Sequence, residues 1–202
     1  MKQLIRRTRL RFDHRRFLLD LMPKSSVCAE IGVHKGRFSA KILEIVHPRE
    51  LHLIDPWRHE SSAQYERALF GGTVDSGQQE MDARYQAVVD QFRASIDSGQ
   101  VNVHRGYSSE VLAEFPDRYF DWIYIDGNHL YEFVMQDLQL ALIKSKTGGY
   151  ITGDDYGRKG WWEGGVERAV DDFCRSQPVE LIEIRNNQFI LKIQSTGSTG
   201  EL

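Results

Sequence analysis

One pattern constrains the fold more than any other: short apolar runs that end in polar residues alternate with amphipathic stretches of helical period. Such runs are typical of buried parallel strands, and their alternation with helices is typical of βαβ units. The strands are predicted at residues 27–31, 51–54, 101–104, 122–125, 149–152, 179–184 and 188–193, and the helices at 36–46, 82–96, 130–143 and 165–174. The pattern therefore predicts an α/β fold, a Rossmann-like, doubly wound, mostly parallel seven-stranded sheet with an antiparallel C-terminal strand.

The length of 202 residues predicts one domain, spanning residues 1–194, with a disordered tail at 195–202. Hydrophobic residues make up 41% and charged residues 27%, the balance of a soluble globular protein. No apolar run is long enough for a membrane-spanning helix, and the first residues lack the apolar core of a signal peptide. Two cysteines are too few for a disulfide framework, so a cytoplasmic location is expected.

The first 25 residues are predicted to form a basic helical segment, since seven of the first 16 are Lys or Arg. The segment could be a solvated helix face, or it could meet an anionic membrane surface or an acidic substrate. The whole chain has a net charge of −3, which argues against a nucleic-acid partner. The sequence leaves the oligomeric state open, and a homo-oligomer is compatible with it.

Residues 57–80 interrupt the rhythm of strands and helices with a polar stretch that contains Gly71, Gly72 and Gly77. Long inserts in compact domains are usually functional or disordered. We therefore expect either a loop or a mobile lid that closes over the bound ligands and excludes water.

Polar residues follow the predicted strands at their carboxyl ends, where doubly wound sheets bind ligands. These residues are Glu30, Asp55, residues 106–109, residues 126–129, and Asp154 with Asp155. Asp55 ends the second strand, where a carboxylate can accept hydrogen bonds from two ribose hydroxyls. That contact suits any cofactor that contains adenosine.

A glycine-containing loop, Glu30-Ile31-Gly32-Val33-His34-Lys35-Gly36, joins the first strand to the first helix of the repeat. Gly32 and Gly36 would let the backbone approach a ligand closely. The dinucleotide fingerprint requires a glycine where this chain has His34, which disfavours NAD. Glu30 suits a cationic ligand group better than a pyrophosphate. A plain strand-to-helix turn is the structural alternative.

Three carboxylates are predicted to converge at the ends of two adjacent strands. Asp154 and Asp155 follow Asp126 after one helix and one strand, and Asp154 lies 28 residues beyond Asp126. Without compensation the three would repel and raise one another's pKa. A divalent cation relieves this repulsion, and oxygen ligands favour Mg²⁺, Mn²⁺ or Ca²⁺ over zinc. Alternatively, Asp154 or Asp155 caps the next segment or contacts substrate without a metal.

His129 lies three residues after Asp126, in the same predicted loop. An imidazole with a pKa near 6.5 suits proton abstraction at neutral pH, which predicts a general base. A helix cap or a structural hydrogen bond is the alternative role.

Aromatic residues close to these carboxylates in the sequence are candidates for an acceptor pocket. Tyr131 and Tyr156 could line it, and the adjacent Trp161 and Trp162 could stack on a sugar face. The two tryptophans could equally anchor the helix that follows them.

Four motifs carry a family resemblance: E-I-G-x-x-x-G, L-I-D, F-D-W-I-Y-I-D-G-N-H-x-Y and G-G-Y-I-T-G-D-D-Y. In this order, between Val27 and Cys174, they resemble the class I S-adenosylmethionine-dependent methyltransferases. Within that class the chain is similar to metal-dependent small-molecule O-methyltransferases, which include macrolide-sugar and rhamnosyl enzymes. The resemblance implies methyl transfer from S-adenosyl-L-methionine to a hydroxyl, with Mg²⁺ or Mn²⁺. A sugar or glycoside is the first implied acceptor, and a catechol or other phenol the second.

The resemblance also implies roles for single residues around the methionine end of the cofactor. Glu30, Gly32, Val33 and Gly36 would line its methionine and ribose portions, and Asp126 would contact it as well.

Further residues would serve the adenosine end and the chemistry. Asp55 would bind the ribose hydroxyls, and Ser108 matches the position where relatives contact the adenine. Trp57 would cover the adenine ring or be an ordinary half-buried aromatic. His129 stands where the catechol-type enzymes carry a lysine base, so Asp126 and His129 are the predicted catalytic pair.

Asp155 replaces the asparagine of the catechol-type enzymes, and it keeps an oxygen ligand.

Three other function classes stay open at this stage. They are an NAD-type oxidoreductase, a non-catalytic protein that binds an adenosyl cofactor, and a methylase acting on RNA or protein.

Overall fold

A computed structural model describes residues 15–195 of the chain. Most of the predicted basic segment and nearly all of the predicted tail lie outside this range. The helices are α1 Arg16–Leu21, α2 Arg37–Val46, α3 Gln78–Gln91, α4 Arg93–Asp97, α5 Ser108–Ala113, α6 Tyr131–Lys144 and α7 Gly165–Ser176. The strands are β1 Val27–Ile31, β2 Glu50–Asp55, β3 Val101–Arg105, β4 Phe120–Ile125, β5 Ser145–Gly153, β6 Val179–Arg185 and β7 Gln188–Ile193.

The seven strands form one sheet in the order β3-β2-β1-β4-β5-β7-β6. Neighbouring strands among the first five pair in parallel, and β7 pairs antiparallel with both β5 and β6. The predicted fold is therefore confirmed, with the antiparallel strand inserted beside the edge strand. The strand order reverses at β1 and β4, which is where doubly wound sheets bind ligands.

Two hydrophobic clusters cover the two faces of the sheet. Alternate residues of β1 point to opposite sides, so Cys28 belongs to the cluster with α1, α2 and α3, and Ala29 to the cluster with α6 and α7. All five residues of β1 are buried, as expected for the central strand of a sheet with helices on both faces. Along residues 15–195, no helix is long and apolar enough to cross a membrane.

The predicted helix at 82–96 is two helices in the structure, because the chain turns at Phe92. Phe92 leaves helical geometry at φ −103° and ψ 12° and is buried against the loop after β1. Tertiary packing thus overrides the helical period at this residue.

The short helix α5 was not predicted. Strand β5 begins at Ser145, directly after α6, with a register shift against β4.

A histidine pair joins two neighbouring strands, with His52 on β2 and His104 on β3. The His52 Nδ1 atom lies 3.0 Å from the His104 Nε2 atom, and the His52 ring packs edge-on against Phe115 and Phe120. Burial and the His104 ring lower the pKa of His52 to about 4, and burial also lowers the pKa of His104. Both rings are therefore held neutral in the folded state.

This pair predicts acid sensitivity of the fold. An unfolded histidine takes up a proton near pH 6.5, whereas folded His52 does so only near pH 4. The free energy of unfolding should therefore decrease as the pH is lowered from 6.5 to 4. We expect a loss of up to about 3 kcal/mol from His52, measured by urea unfolding at a series of pH values. His52→Phe should flatten the profile, and the exposed-site control His47→Asn should leave it unchanged. An equally steep profile for His52→Phe would contradict the assignment.

Candidate active site

The loop after β1 packs directly on the backbone that follows β4. Gly32 has a φ of +87°, and a Cβ atom built on it would lie 1.9 Å from the carbonyl oxygen of Asp126. A side chain at this position is therefore excluded both by the backbone conformation and by the contact. The Asp126 amide in turn donates to the Ile31 carbonyl at 2.8 Å. The ends of β1 and β4 are thus locked together at the mouth of the sheet.

Asp55 holds this loop from the end of β2. Its carboxylate accepts hydrogen bonds from the backbone amides of Val33 at 3.0 Å, His34 at 2.9 Å and Trp57 at 2.7 Å. Burial raises the pKa of Asp55, while these three amides act in the opposite direction. Because a carboxylate offers about four acceptor positions, most are already used. In this structure Asp55 shapes the loop, and its contact with a ribose stays a prediction.

Glu30 lies beneath the loop and is only 1% exposed. The Ser39 hydroxyl donates to its Oε2 atom at 2.5 Å, and burial raises its pKa to about 8. The predicted direct contact with a cofactor does not match this burial, because the side chain points into the core. Gly36 ends the loop with a φ of +68°, close to the Phe92 ring.

Trp57 is completely buried, and its indole Nε1 donates to the His34 carbonyl at 3.0 Å. The ring packs against Tyr85 and belongs to the core, which agrees with neither a cover for an adenine nor a half-buried aromatic. Covering an adenine would require this packing to open.

The predicted adenine contact, Ser108, begins α5, and its hydroxyl donates to Asp137 of α6 at 2.5 Å. Burial raises the pKa of Asp137 to about 7.

A groove lies beside α5, between the ends of β2 and β3. It is lined by Pro56, Trp57, Arg58, Gln78, Arg105, Gly106, Tyr107 and Glu110.

The structure brings Asp126, His129 and Asp155 together at the ends of β4 and β5, and their potential ligand atoms all lie within 4.8 Å of one another. The His129 Nε2 atom lies 3.5 Å from Asp126 Oδ1, and its Nδ1 atom lies 3.4 Å from Asp155 Oδ2. These are ion-pair separations that lack hydrogen-bond geometry. Burial lowers the pKa of His129, but the surrounding carboxylates, Asp126 first, raise it overall.

Asp154 is turned away from this trio, so the three predicted carboxylates do not face a single point. Its Oδ1 atom accepts from the Asp155 amide at 2.7 Å and from the side chain of Gln188 on β7. Its Oδ2 atom lies 3.4 Å from Arg15. Asp154 is therefore a correction to the predicted ligand set, because protein donors already occupy both oxygens.

Basic side chains relieve the repulsion that the sequence predicted. Arg15 Nη1 lies 3.1 Å from Asp126 Oδ2 and 2.9 Å from the Tyr124 hydroxyl, and Arg158 donates to Asp155 Oδ1 at 2.8 Å. The acidic cluster is thus neutralised by the protein's own cations, which a divalent cation would have to displace or complement.

An aromatic wall, formed by Tyr65, Phe70, Trp161 and Trp162, stands over His129. The His129 ring centroid lies 4.7 Å from that of Trp162 and 6.4 Å from that of Trp161. Tyr65 and Phe70 come from the 57–80 insert and meet Trp161 edge-on at 5.4 Å and 6.1 Å. The Asn128 side chain donates to the Tyr65 hydroxyl at 2.9 Å, which ties the insert to the loop of His129.

The two tyrosines predicted for the acceptor pocket face α7 instead. The Tyr131 hydroxyl donates to Asp172 at 3.0 Å, and the Tyr156 hydroxyl donates to Asp171 at 2.8 Å. Both hydroxyls are therefore engaged with α7, which does not match the predicted place in an acceptor pocket beside His129.

Sequence reasoning missed Arg15, Tyr65, Phe70 and Gln188. Nothing distinguishes Arg15 within a run of basic residues, and the aromatics sit in an irregular insert without periodicity. Gln188 reaches the site only because β7 pairs with β5.

Comparison with known proteins fits this geometry. A family model described as a methyltransferase domain matches residues 29–156. The O-methyltransferase NovP is 19% identical to this chain, the match covers 90% of this chain and 80% of NovP, and the two structures superpose with a TM-score of 0.63. An O-methyltransferase from Bacillus cereus, in complex with S-adenosylhomocysteine, is 15% identical, with coverages of 89% and 78% and a TM-score of 0.59.

A third structure is the O-methyltransferase TomG of Streptomyces achromogenes, involved in tomaymycin synthesis and bound to S-adenosylmethionine. It is 15% identical, with coverages of 89% and 77% and a TM-score of 0.58. A search of curated protein sequences finds no match to the chain. At these identities the solved structures establish the fold alone.

The sheet order and the glycine loop packed on β4 define a class I methyltransferase fold. Because the family model spans more than half of its length, the chain belongs to the methyltransferase-domain family. The class predicted from the motifs is confirmed at this level.

The contact between Gly32 and Asp126 predicts the effect of a single methyl group. Gly32→Ala should destabilise the protein by more than about 2 kcal/mol, because αL strain of roughly 1–2 kcal/mol adds to a backbone clash. The matched control is Gly99→Ala, at φ +77° with no atom within 4 Å of the added Cβ. Urea unfolding of both variants separates the cost of the backbone strain from the cost of the clash. An equal loss of unfolding free energy in the two variants would show that the close approach of Gly32 to Asp126 is unimportant.

Proposed function

We propose that the protein is an S-adenosylmethionine-dependent O-methyltransferase that acts on a hydroxyl of a small molecule, a sugar or glycoside. The observation that carries the proposal is the position of His129. It lies between Asp126 and Asp155, beneath the aromatic wall and at the mouth of a methyltransferase sheet. Such a site can hold an acceptor, take its proton and exclude water.

The cofactor would lie across the ends of β1, β2 and β4, with its methionine end near Gly32 and Asp126. Its adenosine end would occupy the groove beside α5, which is lined by Pro56, Arg105 and Tyr107 among others and lies where the ends of β2 and β3 meet. The solved O-methyltransferases that hold S-adenosylmethionine or its product have the same fold, which supports this cofactor.

In the reaction, the acceptor oxygen forms a bond to the methyl carbon while the sulfur–methyl bond breaks, and the sulfonium becomes a neutral thioether. The hydroxyl proton passes to a ring nitrogen of His129 and then to solvent. Because the sulfonium is already activated, the protein mainly aligns the acceptor and removes its proton.

Asp126 and Asp155 are the residues best suited to hold Mg²⁺ or Mn²⁺, since each offers a carboxylate oxygen to the group of potential ligand atoms that lie within 4.8 Å of one another. A bound divalent cation would lower the pKa of the acceptor hydroxyl. The negative charge that favours protonated His129 would also be offset when these carboxylates hold a cation. A histidine nitrogen that ligates a metal cannot accept a proton, so the base assignment requires carboxylate ligation.

The class of molecule that accepts the methyl group is suggested by the aromatic rings and the carboxylate oxygens that lie together at the site. Tyr65 and Trp161 offer flat surfaces that suit the apolar face of a sugar or a phenol ring. The carboxylates of Asp126 and Asp155 beneath them can accept hydrogen bonds from several hydroxyls, which suits a polyol better than a phenol with one or two. A phenol is therefore the second candidate.

The proposal predicts methyl transfer from labelled S-adenosylmethionine to sugars and glycosides, with slower transfer to catechols and simple phenols. Activity should be lost in chelator and restored by Mg²⁺ or Mn²⁺. Calorimetry with S-adenosylhomocysteine provides the matched binding measurement, with an expected Kd in the micromolar range, about −8 kcal/mol. Absence of binding would contradict the cofactor, and full activity in chelator would contradict the metal.

His129→Ala should reduce kcat by about 10²- to 10⁴-fold, because a positioned base contributes rate enhancements of that size. Its affinity for S-adenosylhomocysteine should stay within a few fold of wild type. The comparison variant His47→Asn, at an exposed helix end, should keep both properties. Near-normal turnover of His129→Ala would remove the base assignment.

A further inference from the structure

Arg15 is a cation set into the acidic mouth of the sheet. Its Nη1 atom contacts the Tyr124 hydroxyl, Asp126 and Asp154, and its guanidinium stacks on Phe38 at 4.9 Å from the ring centroid. The side chain is 25% exposed, so a ligand in the mouth can reach it. It precedes α1, so the contact joins the N-terminal part of the described chain to the site.

This position lies beside the predicted methionine end of the cofactor. Asp126 packs on Gly32, and Phe38 stands in the first turn of α2, directly after the glycine loop. Arg15 bridges these two elements through one side chain. It therefore faces the space that the loop and the end of β4 share.

The charges of the cofactor make a cation necessary there. The methionine part carries an ammonium group, a sulfonium and an α-carboxylate, and the surrounding acids suit only the first two. An unpaired carboxylate placed among Asp126 and Asp154 would be repelled. A second arginine among residues 15–195, Arg158, is bound to Asp155 on the His129 side and is 58% exposed.

We propose that Arg15 binds the α-carboxylate of the cofactor's methionine moiety, an inference that rests on the proposed function. The planar guanidinium can pair with a carboxylate through two parallel hydrogen bonds. Asp126 keeps a positive neighbour in the complex, because the cofactor's ammonium group supplies one as Arg15 turns to the carboxylate. The helix α1 thereby becomes part of the cofactor site.

The test compares two ligands that differ only in the carboxylate. One is S-adenosylhomocysteine, and the other is its decarboxylated analogue, 5′-deoxy-5′-(3-aminopropylthio)adenosine. Arg15→Met should weaken S-adenosylhomocysteine binding by 10-fold or more in calorimetry and change the affinity for the analogue by less than 3-fold. Arg15→Lys, which keeps the charge without the planar fork, should fall between wild type and Arg15→Met.

The matched control is Arg16→Met, because Arg16 is 63% exposed and pairs with Asp20 of its own helix. It should leave both affinities unchanged. Thermal unfolding of Arg15→Met establishes that the variant is folded. An equal loss for both ligands, or no loss for either, would overturn the assignment of Arg15. Failure of the wild-type protein to bind S-adenosylhomocysteine would instead overturn the proposed function.

Discussion

The close approach of the glycine loop to the end of β4 is the constraint on which the rest of the site depends. Gly32 leaves no room for a side chain against the Asp126 carbonyl, and Asp55 fixes the loop from β2 through three backbone amides. The ends of β1, β2 and β4 are therefore joined by contacts that do not involve the side chains of Asp126 and His129. The direction in which Asp126 and His129 project follows from this framework.

Charge balance is the second organising feature. Acidic residues cluster at the mouth, but each is met by a donor that the fold supplies: Arg15, His129, Arg158 or Gln188. The cluster is consequently stable as a protein structure, and its ability to take a cation depends on how readily these partners move. A metal would replace existing interactions here, whereas the predicted bare triad of carboxylates would have required one.

Much of the fold could be predicted from sequence, because apolar period and strand-end residues report directly on burial and sheet position. The central strands and the antiparallel β7 can be predicted from the local sequence pattern. The direction in which a side chain points cannot be predicted from that pattern. Asp154 shares the sequence context of Asp155, yet the backbone turn between them points one to Gln188 and the other to His129. That difference depends on contacts with a strand 34 residues further along the chain.

The same limit applies to Tyr131 and Tyr156, which were predicted for the pocket from proximity in sequence. Their hydroxyls instead meet carboxylates of α7, a helix whose docking no local pattern encodes. Conversely, Tyr65 and Trp161 are distant in sequence and form one wall.

The placement of β7 has a consequence for biosynthesis. This strand is made last among those described, yet it pairs with β5 and brings Gln188 to Asp154 and Tyr124 near the centre of the cluster. A growing chain that has released only β1 to β5 presents an open sheet edge and an acidic mouth that lacks one of its donors. Since chains fold from the N-terminus as they emerge, the site is completed only after β7 has been released. A nascent chain that ends before β7 thus lacks the contact from Gln188 to Asp154, and its candidate site is incomplete.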